Sequence, residues 1–294
     1  MLASQFKGTG VAIVTPFLED GSIDWDGLQR LIVHLSKGKV DYLVVMGTTV
    51  ENVTISKEEK QEIFSFIAKH NSADLPLVAG IGGNNTADVV YSLKHTNFTG
   101  YSAILSVSPY YNKPNQEGIF QHYKAVNDAS PLPVIMYNVP GRTGMNVSVQ
   151  TTLRIARDCK NIIATKEASG NMDQIMQIIK NKPEGFEVIS GDDGIAFPLI
   201  ACGAIGVISV VANAYPKQFS DMIRLALNGD YDAARPLHFT FLDIVSSLFE
   251  EGSPSGIKVY LSEMGICGNH FRLPVYPVSE QMKTKIIGLM KLIS

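Results

Sequence analysis

Short apolar runs alternate along this chain with stretches whose apolar positions recur every three or four residues. The first pattern predicts strands buried on both faces, and the second predicts amphipathic helices. The first run, GTGVAIVT over residues 8–15, is followed by a stretch at 24–36. There Leu28, Leu31, Ile32 and Leu35 mark one helical face. Further strands are predicted at 40–46, 75–80, 102–107, 133–138, 161–166, 186–190 and 204–210. Helices are predicted to start at Ser56, Thr86, Gln116 and Ser148, to cover 173–180, to run through Leu199, and to cover 216–227. Ser56 followed by Glu59 has the spacing of a capping box, in which each residue satisfies the other's backbone N–H.

Eight strand–helix units in about 225 residues are what a (β/α)8 TIM barrel of parallel strands requires. A doubly wound sheet also alternates strands and helices and is the rival reading. Eight consecutive units favour closure. Beyond Asp230 the pattern is helical with no strand alternation, so the predicted division is a catalytic barrel over 1–227 and a C-terminal helical region over 228–294 packed on it. No Pro/Ser/Gly-rich linker separates the two.

Composition narrows the partners. The 294 residues carry 25 Lys and Arg against 28 Asp and Glu, a net charge of −3, without basic blocks. Nucleic acid and anionic membranes are therefore poor partners. No apolar run is long enough to span a bilayer, and the N-terminal stretch has no long apolar core of a secretory signal, so a cytoplasmic protein is expected. Cys159, Cys202 and Cys267 lie far apart, as suits a reducing compartment. The six histidines form no HxH or HExxH pattern, so no metal is expected.

In a barrel enzyme the site lies at the C-terminal ends of the strands. Those ends carry Thr48-Thr49, Tyr110-Tyr111, Tyr137, Lys166-Glu167 and Gly191-Asp192-Asp193, and the loop after the fifth strand carries Arg142. Lys166 closes an apolar strand, where an ammonium is costly to bury. It either emerges to water, pairs with Glu167 or Asp192, or serves as a Schiff-base nucleophile, which needs the neutral amine. At an ordinary lysine pKa near 10.4 only about one amine in a few thousand is neutral at pH 7. A desolvated barrel interior shifts that balance toward the free amine. Tyr137 ends the neighbouring strand and could relay protons. Thr48 and Thr49, in a tight turn, offer hydroxyls and N–H groups to an anion. Arg142, flanked by glycines on a loop that reads as mobile, suits bidentate capture of a carboxylate. Each also has a bland reading: a core tyrosine, a capped turn, a solvated arginine. Asp192 and Asp193 read as helix capping, and Gly80-Ile81-Gly82-Gly83 lacks the third glycine of a dinucleotide fingerprint.

Six segments in order, GTTVE (47–51), YYNKP (110–114), YNVPGRTG (137–144), KEASG (166–170), GDD (191–193) and GVISV (206–210), make the chain resemble the dihydrodipicolinate synthase family. That family is a branch of the class I pyruvate-dependent aldolases that include N-acetylneuraminate lyase. The resemblance spans nearly the whole chain and implies a cofactor-free condensation of pyruvate with L-aspartate 4-semialdehyde, a step of diaminopimelate and lysine biosynthesis. By the resemblance, Lys166 forms the imine, and Tyr137, Thr48 and Tyr111 make a proton relay. Tyr111 reaches across a dimer interface, and a homotetramer built as a dimer of dimers is expected. Thr48 and Thr49 hold the pyruvate carboxylate, the backbone of Gly191 and Ile208 lines the pocket, and Arg142 holds the carboxylate of the second substrate. The alternative is another pyruvate aldolase, a sialic acid or keto-deoxy-sugar lyase; the cationic Arg142 loop favours the small carboxylate-bearing aldehyde. Val50 stands where the family has Gly. A positive φ there would strain a β-branched residue and displace Thr48 and Thr49. Asn84, Asp88 and Tyr110 match part of the family's lysine-inhibitor pocket. Lys57 and Lys60 add two cations to it, so inhibition by lysine is expected to be weak or absent.

Overall fold

Side chains of a strand point alternately to opposite faces, and this chain uses that alternation to build two concentric cores. In the computed structural model, which describes residues 2–293, eight parallel strands close into a barrel in chain order. They are Gly8–Ala12 (β1), Tyr42–Val45 (β2), Leu77–Gly80 (β3), Ala103–Val107 (β4), Val134–Asn138 (β5), Ile162–Glu167 (β6), Glu187–Ser190 (β7) and Gly206–Ser209 (β8). β1 pairs with both β2 and β8, so no edge is left open. One parity of residues, among them Tyr42, Val44, Leu105, Ile135, Tyr137, Ile189 and Ile208, fills the barrel interior, and Phe6 closes it from below. The other parity, including Leu43, Val45, Ile104 and Met136, packs outward against the helices. Gly10 lacks a side chain where one is impossible: a Cβ there would lie 2.1 Å from the Tyr42 ring.

The helices are Trp25–Lys37 (α1), Lys57–His70 (α2), Thr86–His95 (α3), Gln116–Ala129 (α4), Pro140–Thr143 (α5), Val149–Asp158 (α6), Met172–Asn181 (α7), Ala196–Ala201 (α8) and Pro216–Leu227 (α9). Three more follow the barrel: Tyr231–Phe249 (α10), Ser255–Glu263 (α11) and Glu280–Met290 (α12). The expected capping box is present, with Ser56 and Glu59 exchanging side-chain and backbone bonds. α10 lies on α9 through Phe241, whose ring meets Phe219 edge-on at 5.2 Å. Among the described residues no helix is long and apolar enough to cross a membrane.

The fold is the expected TIM barrel with a helical appendage, and the doubly wound alternative is excluded by closure. Met1 and Ser294, the outer ends of the two predicted regions, lie outside the described residues. The strands are shorter than the apolar runs. Ile13, Val14 and Thr15 are buried beyond the end of β1, where Val14 N–H turns to the Asn213 side chain. Burial thus continues after the ladder stops, and an apolar run overstates strand length for that reason. The 139–144 segment, read as a mobile loop, is instead the helical turn α5, closed by Gly144 at φ 72°. Pro140 at its first position presets the helical φ.

Candidate active site

Lys166 and Glu167 are adjacent on β6 and therefore face opposite sides of the barrel wall. Lys166 points inward and is 5% exposed. Its Nζ lies 4.2 Å from the centre of the Tyr137 ring, the residue paired with it across the β5–β6 ladder. Among the described residues no carboxylate or carbonyl takes a bond from that nitrogen. Glu167 points outward and is committed elsewhere: it accepts from Asn138 Nδ2 at 2.6 Å, Ser169 Oγ at 2.6 Å and Gln174 Nε2 at 3.2 Å. Burial nevertheless raises its carboxyl above the usual range. The Asp192 carboxylate accepts from Gly194 N–H. Among the described residues neither carboxylate is within ion-pair distance of Lys166, whose Nζ faces the Tyr137 ring and a cavity that Asp192 also lines.

Gly191 makes this arrangement possible. A Cβ at Gly191 would stand 2.9 Å from Lys166 Cε and 2.8 Å from Ala168 Cβ. Tyr137 is held through its backbone: Ser108 N–H and Oγ–H both donate to its carbonyl at 3.0 Å, and its own N–H donates to Tyr123 Oη at 3.4 Å. Its phenol is left free to face the cavity.

Two contiguous lobes open above these residues. One, of about 210 Å³, is lined by Thr48, Thr49, Tyr137, Arg142, Lys166 and Gly191. The other, of about 300 Å³, shares Thr48, Tyr137 and Arg142 and is bounded by Tyr110 and Val107. Thr48 and Thr49 lie in a 3-10 turn, Thr48–Val50, directly after β2. Val50 is buried within that turn, and the left-handed φ of 61° falls on Met46 and Glu51, on either side. The strain expected at Val50 is therefore absent, because the turn places its left-handed residue one position later. Arg142 is exposed on α5 and overhangs both lobes.

Ile208 is buried in the barrel interior with Tyr137, and Val210, further along the chain, lines the Lys166 lobe. One expected residue stands apart from this group. Tyr111 has φ 71° and is 86% exposed, and it does not border the cavity that Tyr110 does. Asp193 braces the site from beneath, its Oδ2 accepting from Val210 and Val211 N–H at 2.9 and 3.0 Å. Burial pushes its pKa up to about 6. Among the described residues no group of three or more His, Cys, Asp or Glu is placed to hold a metal ion.

The C-terminal helices supply residues that the strand-end rule could not find. Phe249 and Ser253 border the Lys166 lobe, and Ser253, Pro254 and Val275 border the larger lobe. Lys258 on α11 pairs with Glu51 at 2.6 Å with both side chains wholly buried. One signal was legible: a lysine within the apolar stretch SGIKVYL.

Residues 5–293 match the model of the Dihydrodipicolinate synthetase family. A 4-hydroxy-tetrahydrodipicolinate synthase of Parabacteroides distasonis is 53% identical over 290 residues, 99% of this chain and 98% of that protein. Among solved structures, dihydrodipicolinate synthase of Aquifex aeolicus is 39% identical with a TM-score of 0.93, covering 97% of each chain. The chloride-inhibited Acinetobacter baumannii enzyme complexed with pyruvate is 38% identical with a TM-score of 0.94, covering 97% of this chain and 98% of that one.

Proposed function

The chain belongs to the dihydrodipicolinate synthetase family, and on that premise we propose that it is a 4-hydroxy-tetrahydrodipicolinate synthase. It condenses pyruvate with L-aspartate 4-semialdehyde through an imine on Lys166, in diaminopimelate and lysine biosynthesis. The observation that carries this reading is Lys166 itself: buried, without an ion-pair partner among the described residues, and facing a cavity whose lining includes the hydroxyls of Thr48, Thr49 and Tyr137, the Arg142 guanidinium and Asp192.

The chemistry follows from that setting. The neutral Lys166 amine adds to the pyruvate ketone, and loss of water leaves an iminium. That cation withdraws electrons, so a methyl proton departs and an enamine forms. The enamine carbon attacks the aldehyde carbon of the second substrate, and a proton delivered through the hydroxyl relay quenches the new alkoxide. The substrate's own amine then attacks the iminium carbon, expels Lys166 and closes the ring. The protein's task is to hold two carboxylates and move protons at fixed positions.

The roles divide by place. Thr48 and Thr49 receive the pyruvate carboxylate through hydroxyls and N–H groups at the turn. Tyr137 and Thr48 carry protons. Arg142, overhanging both lobes, takes the carboxylate of the semialdehyde in a bidentate grip. Tyr111, exposed on its own subunit, completes the relay in a second copy of the chain, within a homotetramer of two such dimers. No cofactor beyond the covalent imine is used. Three unpaired cysteines support a reducing, cytoplasmic setting.

The test is pyruvate consumption by the pure protein with L-aspartate 4-semialdehyde, beside N-acetylmannosamine and a sugar-derived aldehyde. Turnover with the semialdehyde alone is expected. Turnover with a sugar aldehyde instead would keep the Lys166 chemistry and overturn the role given to Arg142.

A further inference from the structure

Glu51 ends the Thr48–Val50 turn in the left-handed region, a conformation that a residue with a side chain keeps only where its surroundings hold it. Its backbone carbonyl accepts from Thr54 N–H and Oγ–H, both at 2.9 Å. Its carboxylate is closed off from solvent. Oε1 accepts from Lys258 Nζ at 2.6 Å and Oε2 from Arg272 N–H at 3.1 Å. Lys258 Nζ also donates to the His270 carbonyl at 2.8 Å and lies 4.5 Å and 4.6 Å from the ring centres of Phe17 and Phe271. Burial pulls the Lys258 ammonium down from the usual lysine range, and the Glu51 charge opposes that pull.

A pair this deep is a weak source of stability, since apolar side chains of similar volume serve as well. What it does supply is a single geometry. Both Glu51 carboxylate oxygens are satisfied in one arrangement, one of them by a lysine 207 positions away in sequence. The turn so held is the one whose two threonines border the Lys166 lobe.

We propose that Lys258, acting through Glu51, is a positioning residue that fixes the Thr48–Thr49 turn at the height and orientation needed to receive the pyruvate carboxylate. Glu51 borders the larger lobe, with its carboxylate wholly buried against Lys258, and the effect passes through the backbone of the turn. This inference rests on the reading of that turn and Lys166 as the pyruvate site.

The test replaces the pair by apolar side chains of similar volume, Glu51→Leu with Lys258→Met, and measures pyruvate KM, semialdehyde KM and kcat. A tenfold or larger rise in pyruvate KM is expected, about 1.4 kcal/mol of lost binding. Semialdehyde KM and kcat should move less. Kinetics equal to the unaltered protein in a folded double variant would overturn the proposal, because a purely structural pair predicts that result. If the double variant does not fold, Glu51→Gln decides. It keeps the shape and the acceptor for Arg272 N–H, and pyruvate KM should still rise; an unchanged KM there also overturns it. The unaltered protein is run alongside. Its failure to consume pyruvate would refute the proposed function itself, and leaves a result distinct from either variant outcome.

Discussion

Among the described residues two lysines are buried, and they are buried for opposite ends. Lys258 lies in the seam between the barrel mouth and α11, where a carboxylate, a carbonyl and two aromatic rings account for its charge. Lys166 lies on the inner wall of the barrel, packed along Gly191, with its Nζ against the Tyr137 ring and facing the cavity. A buried charge without a partner is costly, so folding alone would favour an apolar residue at 166. The seam shows that this chain can pair a buried ammonium where position is required. Leaving Lys166 unpaired keeps a nucleophile available, and the contrast marks which of the two carries the chemistry.

Substitution at each lysine sharpens that contrast most. Lys166→Met should lower turnover by at least about 10³-fold, the scale of removing a nucleophile, while the thermal midpoint stays level or rises. A variant that keeps appreciable turnover would break the distinction. Lys258→Met alone should do the reverse to stability, since it strands Glu51 as an unpaired buried charge at a cost of about 3–5 kcal/mol. Denaturant unfolding of that single variant beside the double variant checks this; equal stabilities would contradict it.

Arg142→Ala is the next largest effect. Semialdehyde KM should rise by about 10- to 100-fold for loss of a charge-assisted bidentate contact, with imine formation from pyruvate unchanged. Unchanged semialdehyde kinetics would remove Arg142 from the site. The seam also has an acid limit. Arg272 donates to both oxygens of Glu59 at 2.6 and 2.8 Å, and holds its pKa down to about 2. A depressed carboxylate contributes stability that is present above its unfolded pKa of about 4.5 and lost as pH falls toward 2. Unfolding midpoints should therefore drop over that window, and Glu59→Gln should flatten the drop. The smallest expected effect is a null one. Lys57 and Lys60 lie one turn apart on α2, and burial with the Lys57 charge lowers the Lys60 pKa. Two cations disfavour a cationic ligand, so millimolar L-lysine should leave the rate unchanged, and inhibition at micromolar levels would contradict this.

How much of this was legible in sequence follows the reach of each interaction. The eight units could be read because each strand and helix declares itself within about ten residues. Lys166 could be read because a lysine ending IIAT has no local reason to be there. The Glu51–Lys258 seam could not be read as a pair, since its partners lie 207 positions apart, although a lysine within SGIKVYL was itself a signal. Val50 misled because the departure from the family's glycine sits next to the left-handed residue rather than on it. Tyr111 is exposed and does not border its own chain's cavity, and no pattern within one chain shows what a second copy would add.

The most direct test of the whole account is to treat the protein with pyruvate and borohydride and map the modified lysine by peptide mass. The account predicts a single reduced pyruvate adduct on Lys166, with Lys258 untouched. No adduct, or an adduct on Lys258 or a surface lysine in place of Lys166, would contradict it.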